Sequence, residues 1–329
     1  MVLGQVLSPV LAQHYTRQLE LYRSRQLPRL ASLPFVELLS HHQDPAYTQG
    51  LEQNLMQYIG RSLEGGAPKR KATFAARLPA DLPIHPDVEP YSVRYPTSSG
   101  APTEQHCLRA RAPIAACTII GPYRGRMCVG AEYNALVDDP GEWGFEGEAL
   151  EWRLKLDAYA TNLECFVGLE GLDEALLHDS HGAFPCSAFM YGNATALVND
   201  PRCDPLANPS EPVAHLANTR VLEFRVGAWV FPFLATIQGV AQGEPLLYDY
   251  GMPYWEGFAE RQQLLDTRRA LLSTENKHTA LQDKYAEMAA ALAAAEAKAQ
   301  ALQSALQWQD SGGIPGLHQD QLLHSRTIE

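Results

Sequence analysis

Residues 257–308 contain no proline and are rich in Ala, Leu, Glu, Gln and Lys. A stretch this long without a helix breaker, built from strong helix formers, predicts one continuous helix. Steps of seven from Leu264 reach Leu271, His278, Tyr285, Leu292, Ala299 and Leu306, and a companion seam runs through Thr267, Thr274, Leu281, Met288, Ala295 and Leu302. This heptad pattern is clean in its second half and diluted by Thr and His in its first. It has two readings: a homodimeric coiled coil, or a long helix packed on the N-terminal helices. The segment 309–329, with "SGGIPG" from Ser311, reads as a flexible tail.

The remainder has other textures. Ser8 before Pro9, and Asp44 before Pro45, are helix starts, each an N-cap followed by a proline whose missing N–H costs nothing there. Tyr47, Leu51, Leu55, Ile59 and Leu63 then recur every four residues until Gly65 and Gly66. We therefore expect an N-terminal helical region over 1–65 and an irregular linker over 66–104, in which Lys69, Arg70 and Lys71 form a solvated turn. Over 105–256, short runs such as "ACTIIGPY" and "VLEFRVGAWVFPFLATI" alternate with Gly, Pro, Asn and Asp clusters, which predicts a domain of many short strands.

Composition narrows the setting. Hydrophobic residues make up 46% and charged residues 19%, as in a folded protein, and the longest apolar run, Gly227–Ile237, is too short to span a bilayer. The first residues lack a basic segment, so no secretory signal is expected and the setting is intracellular, cytoplasmic or nuclear. Six scattered cysteines include no Cys-x-x-Cys pair, which favours a reducing compartment and no zinc. A net charge of −12 argues against direct nucleic-acid binding and suits a basic partner. No nucleophile signature surrounds Cys186 or Cys203 despite His178, His181 and His215 nearby in sequence, and "HDSH" reads as surface histidines.

One short stretch calls for more than packing. In "QGEPLLYDYG", Gln242–Gly251, alternation puts Tyr248 and Tyr250 on one face of an extended segment and Asp249 on the other. Two further pieces precede it: "APIAACTIIGPYRGR", Ala112–Arg126, and "YGNATALVNDPRCDP", Tyr191–Pro205. In this order and with these spacings, roughly residues 105–256 resemble a SET-domain protein lysine methyltransferase. The resemblance implies a mostly β fold with α: small curved sheets closed by a pseudoknot, flanked by the helical N-terminal region and the long C-terminal helix.

It also implies a chemistry. S-adenosyl-L-methionine would be the methyl donor and a lysine of a basic protein or peptide, such as a histone, the acceptor. Tyr250, Tyr248 and Tyr123 would be the catalytic phenols, with the hydroxyl of Tyr248 favouring mono-methylation. Asn199, Asp200, Asn193, Gly192, Arg109 and Trp255 would form the donor-binding set. The chain departs from the pattern in several places. Asp200 stands where the family has His, Ala196 where it has Arg, and Pro201–Arg202 lengthen the loop by one residue. Gln105, His106 and Cys107 replace a glycine pair that lets the donor approach the backbone. An alternative therefore stays open: a catalytically inactive SET-derived interaction module that works through its coiled coil. The stretch Val137–Glu151, with six acidic residues and no basic one, reads either as the wall of a groove for a basic peptide or as a solvated loop.

Overall fold

The computed structural model describes residues 1–40, 44–62, 78–95, 103–139, 149–164, 166, 168–179, 183–203 and 213–310. The basic triplet at 69–71, residues 140–148 of the acidic stretch, Leu63, Gly65, Gly66, Cys165, His181, Asp204, Pro205 and the tail from 311 lie outside these. The chain divides into two units, Met1–Arg261 and Gln262–Glu329.

The first unit is mixed α/β. Its strands are β1 (Val6–Leu7), β2 (Val36–Leu38), β3 (Val88–Tyr95), β4 (Thr103–Ala110), β5 (Ile119–Pro122), β6 (Arg126–Met127), β7 (Ala160–Leu163), β8 (Phe184–Ser187), β9 (Thr219–Val226) and β10 (Trp229–Thr236). They form two four-stranded sheets, ordered β1-β6-β8-β7 and β2-β9-β10-β5, and the separate hairpin β3-β4. The helices are α1 (Pro9–Arg23), α2 (Pro28–Ser32), α3 (Pro45–Arg61), α4 (Gly130–Asp138), α5 (Ala149–Ala158), α6 (Glu174–Asp179) and α7 (Met252–Asp310). Among the described residues, α7 alone holds more residues than all the strands together, so helix outweighs strand where the resemblance implies a mostly β fold.

The helix starts behave as their residues dictate. The Ser8 side chain accepts from the amide of Leu11, and that of Asp44 accepts from the amides of Ala46 and Tyr47. Leu11, Leu51, Leu55 and Ile59 then join Phe231, Phe233 and Trp229 in one large core, so the N-terminal helices and the β2-β9-β10-β5 sheet share their burial. β10 is buried along its whole length because it lies between β9 and β5 with a core on each face. Phe231, Phe233 and Ala235 enter the large core, whereas Leu234 enters a smaller one with Leu108, Ile114, Ile120, Val198, Val240 and Leu246. One strand thus feeds two cores: the alternation holds from Phe233 to Ala235, while Trp229, Val230 and Phe231 all enter the large core.

The smaller core pulls distant segments together. Leu246 donates its amide to the Leu108 carbonyl, Tyr248 donates to the Asn199 carbonyl, and Asn199 and Leu247 pair in parallel. Asn218 fastens the same segment, accepting from the amide of Leu247 and donating to the Pro245 carbonyl.

In the second unit, α7 continues as a regular helix. Leu264, Leu271, Leu281, Met288, Leu292, Leu302 and Leu306 of the heptad seams are each 55–68% exposed. No helix among the described residues is long and apolar enough to cross a membrane.

Candidate active site

β5 and β10 position the first phenol. Tyr123 follows β5 and ties to β10 through its amide, which donates to the Pro232 carbonyl. Its hydroxyl donates to the Tyr159 carbonyl at 3.3 Å. The Asn199 segment and the 245–250 segment beside it, paired in parallel at Asn199 and Leu247, bring in the other phenols. Tyr250 donates its hydroxyl to the Val198 carbonyl at 2.6 Å, and its ring lies 5.5 Å from that of Tyr248. Gly251, at φ +82°, then makes the turn into α7, in a left-handed conformation that a side chain would strain.

These elements enclose a cavity of about 1120 Å³. Tyr123, Asn199, Tyr248, Tyr250 and Trp255 all line it, although they come from three separated pieces of sequence. Burial pushes the phenol of Tyr123 upward, places that of Tyr250 well above its ordinary range, raises that of Tyr248 and takes that of Tyr254 to about 12. The phenols are therefore neutral hydrogen-bonding groups around neutral pH.

The other expected site residues do not line the cavity. Asp200 is buried beside it, accepting from the amides of Tyr250 and Arg202 at 2.7 Å each and pairing with the Arg202 guanidinium at 3.3 Å. Asn193 caps a short 3-10 turn: its Nδ2 donates to the Pro122 carbonyl and its Oδ1 accepts from the Thr195 amide, both at 3.1 Å. Gly192 packs so closely that a Cβ would stand 2.6 Å from the Ala188 carbonyl oxygen. Arg109 pairs with Glu89 at 2.8 Å, its guanidinium 5.2 Å from the centre of the Tyr91 ring.

Several lining residues escaped the sequence reading. Tyr254 and Phe258 complete an aromatic cluster, Tyr254 lying 4.7 Å from Tyr250 and 6.2 Å from Phe258, and Trp255 stacking 6.4 Å from Tyr250. The available signal was the four-residue spacing in "YWEGF", which becomes one helix face once α7 begins at Met252. Arg202, Gln105, His106 and Tyr159 also line the cavity. The side chains that replace the expected glycine pair thus border the pocket without closing it. Asn199 Nδ2 donates to the His106 carbonyl at 3.1 Å and contacts Cys107 Sγ at 3.0 Å.

No protein-family model matches the chain. No curated protein matches it either. Among solved structures it is similar to the Neurospora SET domain protein DIM-5, a histone lysine methyltransferase, at 17% identity and a TM-score of 0.31 over 44% of this chain and 48% of that one. It is also similar to ATXR5 in complex with histone H3.1 mono-methylated on R26, at 15% identity and a TM-score of 0.29 over 50% of this chain and 57% of that one. The chain thus spans about half the length of these structures.

Proposed function

We propose that the first unit is a SET-type domain and an S-adenosylmethionine-dependent protein-lysine N-methyltransferase. The observation that carries this reading is the convergence of Tyr123, Tyr248, Tyr250 and Asn199 on one cavity from distant segments. That cavity has room for a nucleoside and a lysine side chain together.

The chemistry follows from the walls. A free lysine has a pKa near 10.4, so only about one in a thousand is neutral at pH 7. A dry, phenol-lined passage disfavours the ammonium and helps its proton leave to water. The neutral amine's lone pair then forms the new N–C bond while the S–C bond breaks and its electron pair returns to sulfur. Positioning in line supplies most of the acceleration. Tyr250, Tyr248 and Tyr123 hold the amine and face the methyl group, and Asn199 and Trp255 hold the donor. Asn193, Gly192 and Asp200 shape the loop beneath. The Tyr248 hydroxyl beside the amine favours mono-methylation. A basic peptide such as a histone tail suits the net charge of −12. The exposed heptad seams pair with those of a second copy, making the second unit a dimerising coiled coil.

Incubation with labelled donor and a histone mixture tests the reading. Label transfer that Tyr250→Phe abolishes is the expected result, and Tyr248→Phe shifts the product toward higher methylation. No donor binding at millimolar concentration would instead support the inactive interaction module. The observation on that side is that Gln105 and His106 border the cavity where the family has a glycine pair.

A further inference from the structure

The heptad seams of α7 decide which residues flank them. Beside the seam that starts at Thr267 runs a row carrying Arg268, Glu275 and Glu296, and beside the seam that starts at Leu264 runs a row carrying Lys277, Lys284 and Lys298. All six side chains are exposed, as are the seams between them. In a two-stranded coiled coil, charges on these flanking rows set the orientation of the partner.

A parallel partner gains nothing from them. In that pairing Lys284 faces the partner's Ala289, Arg268 faces the partner's Gln263 and Glu296 faces the partner's Ala291, so no opposite charges meet along the two rows. The seams fare no better, because Thr267, Thr274 and His278 each stack on their own copies.

An antiparallel partner changes both counts. With Leu264 layered on the partner's Leu302, Leu271 meets the partner's Ala295, Thr274 the partner's Leu292 and His278 the partner's Met288. No polar seam residue then meets its own copy, and large side chains face small ones, which lets the layers interlock. The same register sets Arg268 beside the partner's Glu296, and the two-fold axis makes that contact twice. The one like-charge contact along these rows is Lys284 with its own copy at the centre. Sliding the register by one heptad either way brings Lys277 onto the partner's Lys284 or Glu275 onto the partner's Glu296, each also made twice.

We propose that α7 pairs antiparallel with a second copy of this chain, in the register that joins Arg268 to the partner's Glu296. The inference rests on the dimer reading of the second unit and gives that dimer an orientation.

Sedimentation equilibrium of the full chain at low salt tests it. Arg268→Glu alone and Glu296→Arg alone should each weaken dimerisation by about threefold to thirtyfold, since two exposed ion pairs become like-charge contacts. The double variant Arg268→Glu/Glu296→Arg should restore the native affinity. Single changes without effect, or a double variant as weak as either single one, would overturn the antiparallel register alone. A short amine-reactive cross-linker on the native chain needs no substitution. It should join Lys277 of one copy to Lys298 of the other, two positions that a parallel pair holds about 30 Å apart along the axis. A dimer that yields links only between identical lysines would likewise overturn the orientation. A chain that stays monomeric at every concentration sedimented would overturn the dimer reading, and this inference with it.

Discussion

The two walls of the cavity are built on opposite principles. The aromatic wall, Tyr248 through Phe258, is nearly continuous in sequence, and its rings pack on one another at 4.7–6.4 Å. The polar wall joins residues 104–106 to 199–203 across some 90 positions and is held by hydrogen bonds from Asn199 and by the Asp200–Arg202–Asp249 cluster. The first tolerates local change because each ring has several neighbours. The second concentrates its stability in a few buried polar groups, each of which must stay paired.

The sharpest way to break this contrast is at Asp200. Its carboxylate is fully buried and holds both the Arg202 guanidinium and the Tyr250 amide. Asp200→Ala leaves a buried cation with one partner fewer and should cost about 3–5 kcal/mol, read from the midpoint of urea unfolding. Phe258→Ala, on an aromatic-wall ring that is 39% exposed, should cost far less. Equal costs would mean that the walls do not differ in the way described.

How much of this was legible differs between the walls for the same reason. The tyrosines and Trp255 stood out because period-two alternation and a local motif reveal neighbours within ten residues. The N-caps at Ser8 and Asp44 were legible too, since each bonds to an amide no more than three residues on. Arg202 was not, because its role depends on Asp249, 47 residues away. Nor was the parallel pairing of β1 with β6, which joins Val6 to Arg126 through two-residue strands that carry no periodic signal. Tyr254 and Phe258 were missed because the helix starts at Met252, ahead of residue 257 where its compositional signal begins. Asp200, which stands where the family has His, belongs to the donor-binding set that the resemblance implies. In the fold that carboxylate turns away from the cavity and fastens the backbone of Tyr250.

A smaller effect is expected at Gly192, under the turn that leads to Asn199. A methyl there would lie 2.6 Å from the Ala188 carbonyl oxygen and 3.1 Å from the Ala188 Cβ. Gly192→Ala should cost about 1–3 kcal/mol, the usual range for overpacking, measured as a lowered melting temperature. An unchanged melting temperature would show that the turn can shift freely and that the polar wall is less rigid than its contacts imply.

The phenols offer a test by pH. Burial raises the folded-state values of Tyr123, Tyr248, Tyr250 and Tyr254 above the ordinary value near 10, the last to about 12. Below pH 10 the folded and unfolded chains both keep these protons. Above it the unfolded chain releases them while the fold retains them, so unfolding becomes coupled to proton loss and stability falls as pH rises. Each such phenol should remove about 1.4 kcal/mol per pH unit above 10, until its own folded value is reached. Thermal melts between pH 8 and 11 should therefore fall more steeply above pH 10, on top of a shallower loss from about pH 9 as the unfolded chain releases the thiol protons that burial retains at Cys128, Cys186 and Cys203. A fall above pH 10 that is no steeper than the fall below it would mean that the aromatic wall is wetter than its burial indicates.

The smallest expected effect marks where the polar wall ends. Arg109 lies on the same strand as His106, yet its guanidinium pairs with Glu89 on β3 and packs over Tyr91, away from the cavity. Both partners of that pair are more than a third exposed, at 44% and 35%, so water screens them and the pair contributes only about 0.2–1 kcal/mol. Arg109→Ala should therefore shift the unfolding midpoint slightly and leave the affinity for S-adenosylmethionine unchanged. A tenfold loss of donor affinity in a folded Arg109→Ala variant would extend the polar wall along β4 as far as the hairpin. The hairpin would then have to move toward the cavity when ligand binds, and the wall would owe its shape to the ligand as well as to Asp200.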